Sequence, residues 1–513
     1  MAEPFYVTTP IYYVNDEPHL GHAYTTILAD ALARFARLRG REVFFLTGTD
    51  EHGQKVQQAA QKRGIDEQAH VDDMVGRFVA LWQDLHVEYQ DFIRTTEPRH
   101  VHVVQTVLQR LWDQGKIYLS KYEGWYCVPD ERFWTEKDLV DDACPDCGRP
   151  VERLTESNYF FRMSAYQEWL IDYINEHPSF ILPETRRNEV LGFLRQPLGD
   201  LCISRPKTRL NWGIPLPFDE DYVTYVWFDA LLNYVTAPGY LVDEARFEHY
   251  WPQAMHLIGK DILTTHCVYW PTMLKAAGLP LPRTVLAHGW WIIQGSKMSK
   301  SRGTVVKPLE LTQTYGVDAF RYFLLRDMTL GRDADFSEDG LVHRYQGDLA
   351  NDLGNLLRRI VSMINRYCDG RVPEPQTSRS NGAILRERSL ALVPRVLDQV
   401  EKLRLNDALT NAMSGVNSIN GYLEKEKPWA FAKQGGHQGR VDTVLYNAAE
   451  ALRLTSILLW PVLPERIAEL WRRLGWQPPE TLREGFQWGG LQPGSAVVTG
   501  PPLFPKDVIP TND

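Results

Sequence analysis

Cysteine is scarce and scattered in this chain. Six cysteines occur among 513 residues, and only Cys144 and Cys147 share a Cys-x-x-Cys spacing. So few cysteines exclude a dense disulfide framework, and they favour a reducing compartment with a candidate metal site.

Long apolar runs and a basic leader are missing as well. No apolar stretch approaches the ~20 residues that a membrane helix needs, and Met1-Ala2-Glu3-Pro4 does not open a secretory signal. The formal net charge of −9 gives no support to a generic nucleic-acid binder, so any polyanion must be met by local basic patches. We therefore expect a cytoplasmic protein with no membrane partner.

The chain is long enough for several cores. Its 44% hydrophobic and 24% charged residues are typical of globular proteins, and this length predicts two to four domains. The predicted fold class is α/β: a Rossmann-like parallel sheet split by a small insertion and followed by a helical bundle. The predicted segments are a first sheet half (1–115), an inserted connective module (116–220), the second sheet half (221–295), a loop-bearing junction (296–345) and the helical domain (346–513). In the second sheet half, the pattern predicts strands at Tyr222 to Phe228, Met255 to Gly259 and Thr284 to His288.

The stretch His19-Leu20-Gly21-His22 lies between an apolar extended segment (Phe5 to Val14) and a run with helical spacing (Ile27 to Leu38). This context predicts a strand, a turn and a helix start. A helix start offers unsatisfied N–H donors and partial positive charge, so it suits a phosphate. Gly21 would let a nucleotide approach the backbone, and both imidazoles can donate to phosphate oxygens.

Two further stretches carry chemistry. The apolar run from Glu42 to Leu46 predicts a buried strand, and the polar Thr47 to Gly53 follows as a loop at its carboxyl end, where open α/β sheets bind ligands. Lys297-Met298-Ser299-Lys300-Ser301 forms a cationic loop suited to polyphosphate. Each motif alone is weak, because short patterns often match by chance; in this order they are highly specific.

The HLGH and KMSKS stretches together resemble class I aminoacyl-tRNA synthetases, and the chain is similar to the bacterial-type methionyl-tRNA synthetases over nearly its whole length. The supporting stretches are Tyr6-Val7-Thr8-Thr9-Pro10-Ile11-Tyr12-Tyr13, Thr47-Gly48-Thr49-Asp50-Glu51-His52-Gly53, Tyr225-Val226-Trp227-Phe228-Asp229-Ala230, His256-Leu257-Ile258-Gly259-Lys260-Asp261 and Ala287-His288-Gly289-Trp290.

This resemblance implies a two-step reaction. The methionine carboxylate attacks the α-phosphate of ATP, giving methionyl-adenylate and pyrophosphate, and the terminal ribose hydroxyl of tRNA then takes the methionine. No general base is needed, because the carboxylate is already ionised. Catalysis then rests on positioning and charge stabilisation.

The resemblance also implies roles for the nucleotide-binding residues. His19, Gly21 and His22 would hold the nucleotide and stabilise the α-phosphate. Lys297 and Lys300 would grip the pyrophosphate, with Mg²⁺ shared between phosphates. Near the adenosine would lie Gly259, Asp261, His288 and Gly289.

A thioether needs an apolar, polarisable pocket. The positions that match the family's methionine pocket are Ile11, Tyr13, Trp227, Ala230, Leu231, Tyr234 and His288, with Asp50 as the anchor for the ammonium group. Without the resemblance, the helical spacing from Trp227 to Tyr234 would indicate only a helix burying its apolar face. The insertion of about 100 residues leaves little room for the editing domain that branched-chain specificity demands.

Cys127-x-x-Asp130 and Cys144-x-x-Cys147 have the spacing of a zinc knuckle. We expect a structural Zn²⁺ held by Cys127, Asp130, Cys144 and Cys147, with Asp130 where related knuckles carry Cys or His. The alternative is that Asp130 belongs to a plain surface run and that no zinc binds.

The helical domain carries the positions that match the family's anticodon readers, namely Asn355, Arg359 and Trp429. Reading an unpaired RNA loop needs hydrogen-bonding side chains beside an aromatic platform. The implied partners are initiator and elongator tRNA(Met) with a CAU anticodon. The alternative is a surface polar pair and a core tryptophan.

Three other functions stay open at this point: a cysteinyl-tRNA synthetase, a small-molecule adenylyltransferase that shares HxGH, and an RNA-binding paralogue that has lost catalysis. The helical C-terminal third argues against the second, and the intact HLGH, Asp50 and KMSKS argue against the third. Since the sequence stops soon after the helical domain, without a dimerising module, we expect a monomer.

Overall fold

The computed structural model describes residues 3–127, 132–134, 136–145, 147–293, 296–297, 306–376 and 382–508. The strands in chain order are β1 (Pro4–Thr8), β2 (Tyr12–Tyr13), β3 (Glu42–Asp50), β4 (Asp91–Arg94), β5 (Ile117–Cys127), β6 (Arg132–Trp134), β7 (Glu152–Phe161), β8 (Ile181–Leu182), β9 (Leu201–Cys202), β10 (Ser204–Pro206), β11 (Pro215–Leu216), β12 (Asp219–Thr224), β13 (Ala254–Gly259), β14 (Thr284–His288), β15 (Trp291–Ile293), β16 (Ser296–Lys297) and β17 (Ala334–Asp335).

The helices are α1 (Leu20–Leu38), α2 (Gln54–Arg63), α3 (Glu67–Asp84), α4 (Pro98–Asp113), α5 (Gln167–Glu176), α6 (Glu184–Phe193), α7 (Val226–Leu231), α8 (Asn233–Thr236), α9 (Glu244–Tyr250), α10 (Trp270–Ala277), α11 (Pro308–Tyr315), α12 (Val317–Asp327), α13 (Glu338–Arg344), α14 (Asn355–Tyr367), α15 (Gly382–Glu401), α16 (Leu405–Glu426), α17 (Pro428–Gln434), α18 (Gln438–Leu459) and α19 (Pro464–Leu474). Two π-helical segments, Thr265–Tyr269 and Tyr345–Gly354, lead into α10 and α14.

A parallel sheet in the order β2-β3-β1-β13-β14-β8, with β4 beside β3, organises the first two thirds of the chain. Its inner strands are almost fully buried, because α1 packs on the sheet together with neighbouring helices. The predicted α/β class is confirmed. All the strand ends that matter for the site meet at one edge of this sheet.

One predicted boundary was wrong. β3 does not end at Leu46 but continues to Asp50, so Thr47 to Asp50 are strand and only Glu51 to Gly53 form the loop. Residues Thr47 to Asp50 remain in β3 because neighbouring strands pair with them on both sides. β2 pairs Tyr13 with Asp50, and β4 pairs along Leu46 to Thr49.

The segment predicted as an insertion is only partly separate. β5, β6, β7 and β9 form their own antiparallel sheet, but β8 joins the main sheet by pairing with β14. The predicted strand Tyr222 to Phe228 was wrong in its second half, since β12 ends at Thr224 and α7 begins at Val226. β12 also belongs to a small sheet with β10 and β11. The division of the chain into five segments stays a prediction.

From Tyr345 onward the described chain is largely helical, as predicted, and its C-terminal segment past Trp476 is mostly irregular. That segment packs back on the bundle, burying Leu503 and Phe504. Within the described parts of the chain, every helix falls short of the length and apolarity required to cross a bilayer.

A buried ion pair connects α1 with the C-terminal helices. The Arg321 guanidinium of α12 donates to Asp30 Oδ2 at 2.5 Å and to the carbonyl oxygens of Pro461 and Val462 at 3.0 and 3.1 Å. Asp30 also accepts from Arg34. These fully buried charges are paired and hydrogen-bonded, as burial requires, so the helix that starts at the HLGH turn is fixed against the helical domain.

Candidate active site

The two histidines of the HLGH turn cap the start of α1. His19 Nδ1 accepts from the Gly21 N–H at 3.1 Å, and His22 Nδ1 accepts from the His19 N–H at 3.3 Å. The rings stack with centroids 3.8 Å apart. A side chain at Gly21 would press on the His19 ring, because an added Cβ would lie 3.0 Å from its Cε1.

This capping decides which ring nitrogen carries the proton. Because Nδ1 of each neutral imidazole accepts a backbone N–H, the ring proton belongs on Nε2. In both rings the N–H that can donate is therefore the one at Nε2. The helix start was predicted to offer backbone N–H groups to phosphate; the imidazoles accept the N–H groups of Gly21 and His19, and phosphate binding at this turn stays a prediction.

The ends of β13 and β14 meet beside this turn. Gly259 and His288 are register partners in the two strands. The His288 Nε2 lies 2.8 Å from the hydroxyl of Thr25, which lies 3.1 Å from the Gly21 carbonyl oxygen. Burial lowers the pKa of His288, so this ring is neutral. His288 therefore belongs to the side of the site that carries the HLGH turn.

Gly259 and Gly289, at these strand ends, let neighbouring residues pack directly against the backbone. An added Cβ on Gly259 would lie 2.4 Å from Asp261 Oδ1, and one on Gly289 would lie 2.0 Å from the Arg332 carbonyl oxygen. The Asp261 Oδ1 also accepts from the Trp290 indole N–H at 3.2 Å. The structure thus brings the four predicted adenosine-side residues together.

Of the two lysines in the predicted cationic loop, Lys297 is among the described residues. Lys297 lies in β16, whose backbone pairs with β15, so the loop follows directly on His288 and Gly289. Lys300 lies outside the described residues.

The predicted methionine pocket is an aromatic cluster on α7 and α8. Ala230, Leu231 and Tyr234 are buried, and Trp227 is half-buried. The Tyr234 ring stacks on His256 with centroids 4.1 Å apart. Burial raises the pKa of Tyr234, and the negative charge of Asp50 acts in the same direction. The Tyr12 ring lies 4.8 Å from that of His22, and β2, which carries Tyr12, pairs with the end of β3 at Asp50, so the end of β3 adjoins the HLGH turn.

His266 joins this cluster, although the sequence analysis did not single it out. Its Nε2 lies 2.8 Å from the Tyr234 hydroxyl, and its ring stands edge-on to Trp227 with centroids 6.4 Å apart. Its Nδ1 lies 3.0 Å from the Ile262 carbonyl oxygen, so Nδ1 carries the proton and Tyr234 donates to Nε2. Burial lowers the pKa of His266 to about 4, and the ring is neutral.

No local pattern marks His266, which lies in a π-helical turn seven residues after Gly259. Such turns often occur at functional sites, but the sequence does not reveal them. His266 and His288 therefore lie in different surroundings. His266 contacts Trp227 and Tyr234, whereas the ring of His288 contacts Tyr24, with centroids 5.0 Å apart.

The remaining pocket candidates lie around the end of β3. Asp50 is buried at the strand's last position, and β2 places Tyr13 beside it in register. Ile11 is half-buried just before β2. The Lys55 ammonium lies 5.6 Å from the centroid of the Tyr13 ring.

Three of the four predicted metal ligands converge. The sulfur atoms of Cys127, Cys144 and Cys147 all lie within 4.8 Å of one another, and those of Cys127 and Cys147 are 3.5 Å apart. Thiolates at about 2.3 Å from a tetrahedral Zn²⁺ would have a similar spacing, so this donor set fits zinc. Asp130 lies outside the described residues.

The predicted anticodon readers also converge, on one face of the bundle. The Arg359 guanidinium lies 5.8 Å from the Trp429 ring centroid, and Arg359 donates to Glu424 at 2.5 Å and to Asn420 at 3.3 Å. Asn355 lies one helical turn from Arg359, and both are half-buried. A half-buried tryptophan beside an arginine is a surface on which a base can stack.

Comparison with known proteins identifies the family. The family model for tRNA synthetases class I (M) matches residues 5–155 and 150–361. The methionine–tRNA ligase of Caldanaerobacter subterraneus is 48% identical over 99% of this chain and 79% of its own length, and that of Streptomyces coelicolor is 42% identical over 98% and 97%.

A solved structure is similar throughout. Mycobacterium tuberculosis methionyl-tRNA synthetase in complex with methionyl-adenylate superposes with a TM-score of 0.94, is 41% identical, and covers 98% of this chain and all of its own. Together with the family match, this likeness over nearly the whole length means that the chain belongs to the class I tRNA synthetases for methionine, the methionine–tRNA ligases.

Proposed function

We propose that this ligase makes methionyl-adenylate at the edge of its parallel sheet, between the HLGH turn and the aromatic cluster around Trp227, and then transfers methionine to tRNA. The observation that carries the proposal is the adjacency of these two parts. Tyr12 touches His22 and lies in β2, which pairs with the end of β3 at Asp50. On the cluster side, Tyr234 stacks on His256 of β13, the strand whose end at Gly259 lies beside His288. An amino acid in the cluster and a nucleotide at the turn would meet there.

On the nucleotide side, His19 and His22 direct their Nε2–H groups at the phosphates. Their capping bonds hold the rings before substrate arrives, so little reorganisation is needed as charge develops on the α-phosphate. Gly21 lets the nucleotide approach the backbone, and Gly259, Asp261, His288 and Gly289 surround the adenosine. Lys297 and Lys300 bind the leaving pyrophosphate, and Mg²⁺ accompanies the ATP.

On the amino-acid side, the methionine thioether lies among Trp227, Ala230, Leu231 and Tyr234, with Ile11 and Tyr13 closing the pocket. Sulfur–aromatic contacts of this kind contribute about 0.3–1.5 kcal/mol each. His266 is neutral and hydrogen-bonded, so it places no charge beside the thioether. Asp50 binds the ammonium group.

The remaining proposals concern metal, RNA and environment. Cys127, Cys144 and Cys147, with Asp130 as fourth ligand, would hold a structural Zn²⁺ that ties a small module together. Asn355, Arg359 and Trp429 read the CAU anticodon of initiator and elongator tRNA(Met). The enzyme works as a monomer in the cytoplasm.

The test is amino-acid-dependent ATP–pyrophosphate exchange, followed by charging of initiator and elongator tRNA(Met). Exchange with methionine and charging of both tRNAs is the expected result. Exchange with cysteine alone would point to cysteinyl specificity. Adenylate formation without charging of any tRNA would point to a small-molecule adenylyltransferase.

A further inference from the structure

A carboxylate between two imidazoles lies behind the predicted methionine pocket. Asp229 Oδ2 lies 2.7 Å from His52 Nδ1, and Asp229 Oδ1 lies 2.8 Å from His100 Nε2. All three side chains are buried, Asp229 and His100 completely. Burial opposes the charge of the carboxylate, but the two imidazoles outweigh it and lower the pKa of Asp229. The carboxylate is therefore ionised and accepts an N–H from each ring.

The three residues come from distant parts of the chain. Asp229 lies on α7, in the same turn as Trp227 and Ala230. His52 lies in the loop after β3, two residues beyond Asp50. His100 lies on α4, away from both. The hydrogen bond between Asp229 and His52, called the His52 arm below, thus connects two parts of the proposed pocket. One is the turn of α7 that carries Trp227 and Ala230, the proposed thioether wall, and the other is the loop that follows Asp50, the proposed ammonium anchor.

The rest of that loop is held by other contacts. Trp212 donates its indole N–H to the Glu51 carbonyl oxygen at 2.5 Å and accepts the Gly53 N–H at 3.2 Å. The Glu51 carboxylate pairs with Arg94 at 2.7 and 3.0 Å. These contacts fix the loop to the insertion and to β4. His52 fixes it to α7 through Asp229, and its ring also packs against that of Trp212 with centroids 5.5 Å apart.

We propose that Asp229, acting through His52, is a positioning residue that sets the distance between the ammonium anchor Asp50 and the thioether wall. The inference rests on the proposed function, because it takes Asp50 and Trp227 as methionine contacts. It predicts that loosening the His52 arm weakens recognition of the ammonium group and leaves recognition of the thioether unchanged.

Two alcohols separate these contributions. Methioninol carries the thioether and the ammonium group, and 4-(methylthio)butan-1-ol carries the thioether alone. Each is measured as a competitive inhibitor of methionine-dependent pyrophosphate exchange. In the wild type, methioninol binds more tightly, and the ratio of the two inhibition constants measures the contribution of the ammonium group.

His52→Ala is expected to raise the inhibition constant of methioninol by about tenfold, because the charge-assisted contact with the ammonium group is partly lost. The inhibition constant of 4-(methylthio)butan-1-ol should change by less than about twofold. His52→Asn should restore most of the ratio, because the asparagine amide nitrogen replaces Nδ1. His100→Ala is the matched control on the other arm: it should lower the melting temperature and leave the ratio unchanged.

An unchanged ratio in folded His52→Ala overturns the inference, and so does an equal change in His100→Ala. If His52→Ala does not fold, Asp229→Asn takes its place, since the amide keeps the volume but has one acceptor for two donors; an unchanged ratio there also overturns it. A wild type that does not distinguish the two alcohols overturns the assignment of Asp50 and the inference with it. Absence of methionine-dependent exchange in the wild type overturns the proposed function instead.

Discussion

Asp318 should make the stability of this protein depend on pH at the junction between the catalytic part and the helical domain. It lies at the start of α12 with 2% of its surface exposed, and its Oδ2 accepts the backbone N–H of Arg466 at 2.6 Å, at the start of α19. Its Oδ1 has no hydrogen-bond partner among the described residues. Burial raises the pKa of Asp318 to about 6, although Arg321 and Arg466 oppose the shift.

The sign of the effect follows from proton binding. The folded-state pKa exceeds the value of 3.8 for the free side chain, so the folded protein holds the proton more tightly. The stabilisation is fully present below about pH 4 and is lost as the pH rises through about 6. The pKa difference corresponds to about 3 kcal/mol in total, of which about 1.4 kcal/mol falls between about pH 5 and about pH 7.5.

The measurement is the free energy of unfolding in urea for the wild type and Asp318→Asn at these two pH values. The asparagine oxygen can still cap Arg466, and the amide does not titrate. The wild type should lose about 1.4 kcal/mol relative to the variant on going from about pH 5 to about pH 7.5. As a control, Glu465→Gln removes a neighbouring negative charge that raises the pKa of Asp318, so it should move the transition to lower pH. A constant difference between wild type and Asp318→Asn would refute the reasoning.

Three further results are expected at the other sites. His22→Ala should lower pyrophosphate exchange by about 10²-fold, as loss of a preorganised donor does, without a change in the circular dichroism spectrum; exchange at the wild-type rate rules out the phosphate role. Trp429→Ala should weaken tRNA charging by about tenfold, within the range that loss of one stacked base produces, and leave exchange intact, so a collapse of exchange would make the tryptophan structural. Cys147→Ala should abolish the zinc detected by metal analysis in the purified parent protein, and a parent without zinc would end the knuckle proposal.

The sequence was sufficient for the fold where hydrophobic pattern and burial agree. α1 and β14 were predicted because apolar spacing and strand-like runs are local signals. The end of β3 was missed because Thr47 to Asp50 are polar. Their strand conformation depends on pairing with β2 and β4, which no local pattern reveals. The strand predicted through Phe228 failed for a related reason: the aromatic run after Tyr225 starts a short buried helix, and tertiary packing overrides its strand propensity.

For the candidate site, short sequence motifs could point only to residues that lie close together in the sequence. The capping function of His19 and His22 was not predicted, since it depends on which ring nitrogen meets the backbone. His266 was missed altogether. Its position is meaningful only when Tyr234, 32 residues away, turns its hydroxyl toward Nε2, and that geometry arises in the fold.

The hydrogen bonds of His266 limit which groups of the proposed pocket could donate a proton to a sulfur atom. The ring is neutral, its Nδ1–H is committed to the Ile262 carbonyl oxygen, and the Tyr234 proton is committed to Nε2. Neither group therefore has a proton to give to the thioether, which is in any case a weak acceptor. The same two bonds hold the rings of Tyr234 and His266 in place against Trp227. In the proposed methionine pocket, selection would then rest on shape and polarisability, with these hydrogen bonds fixing the aromatic side chains rather than contacting the sulfur.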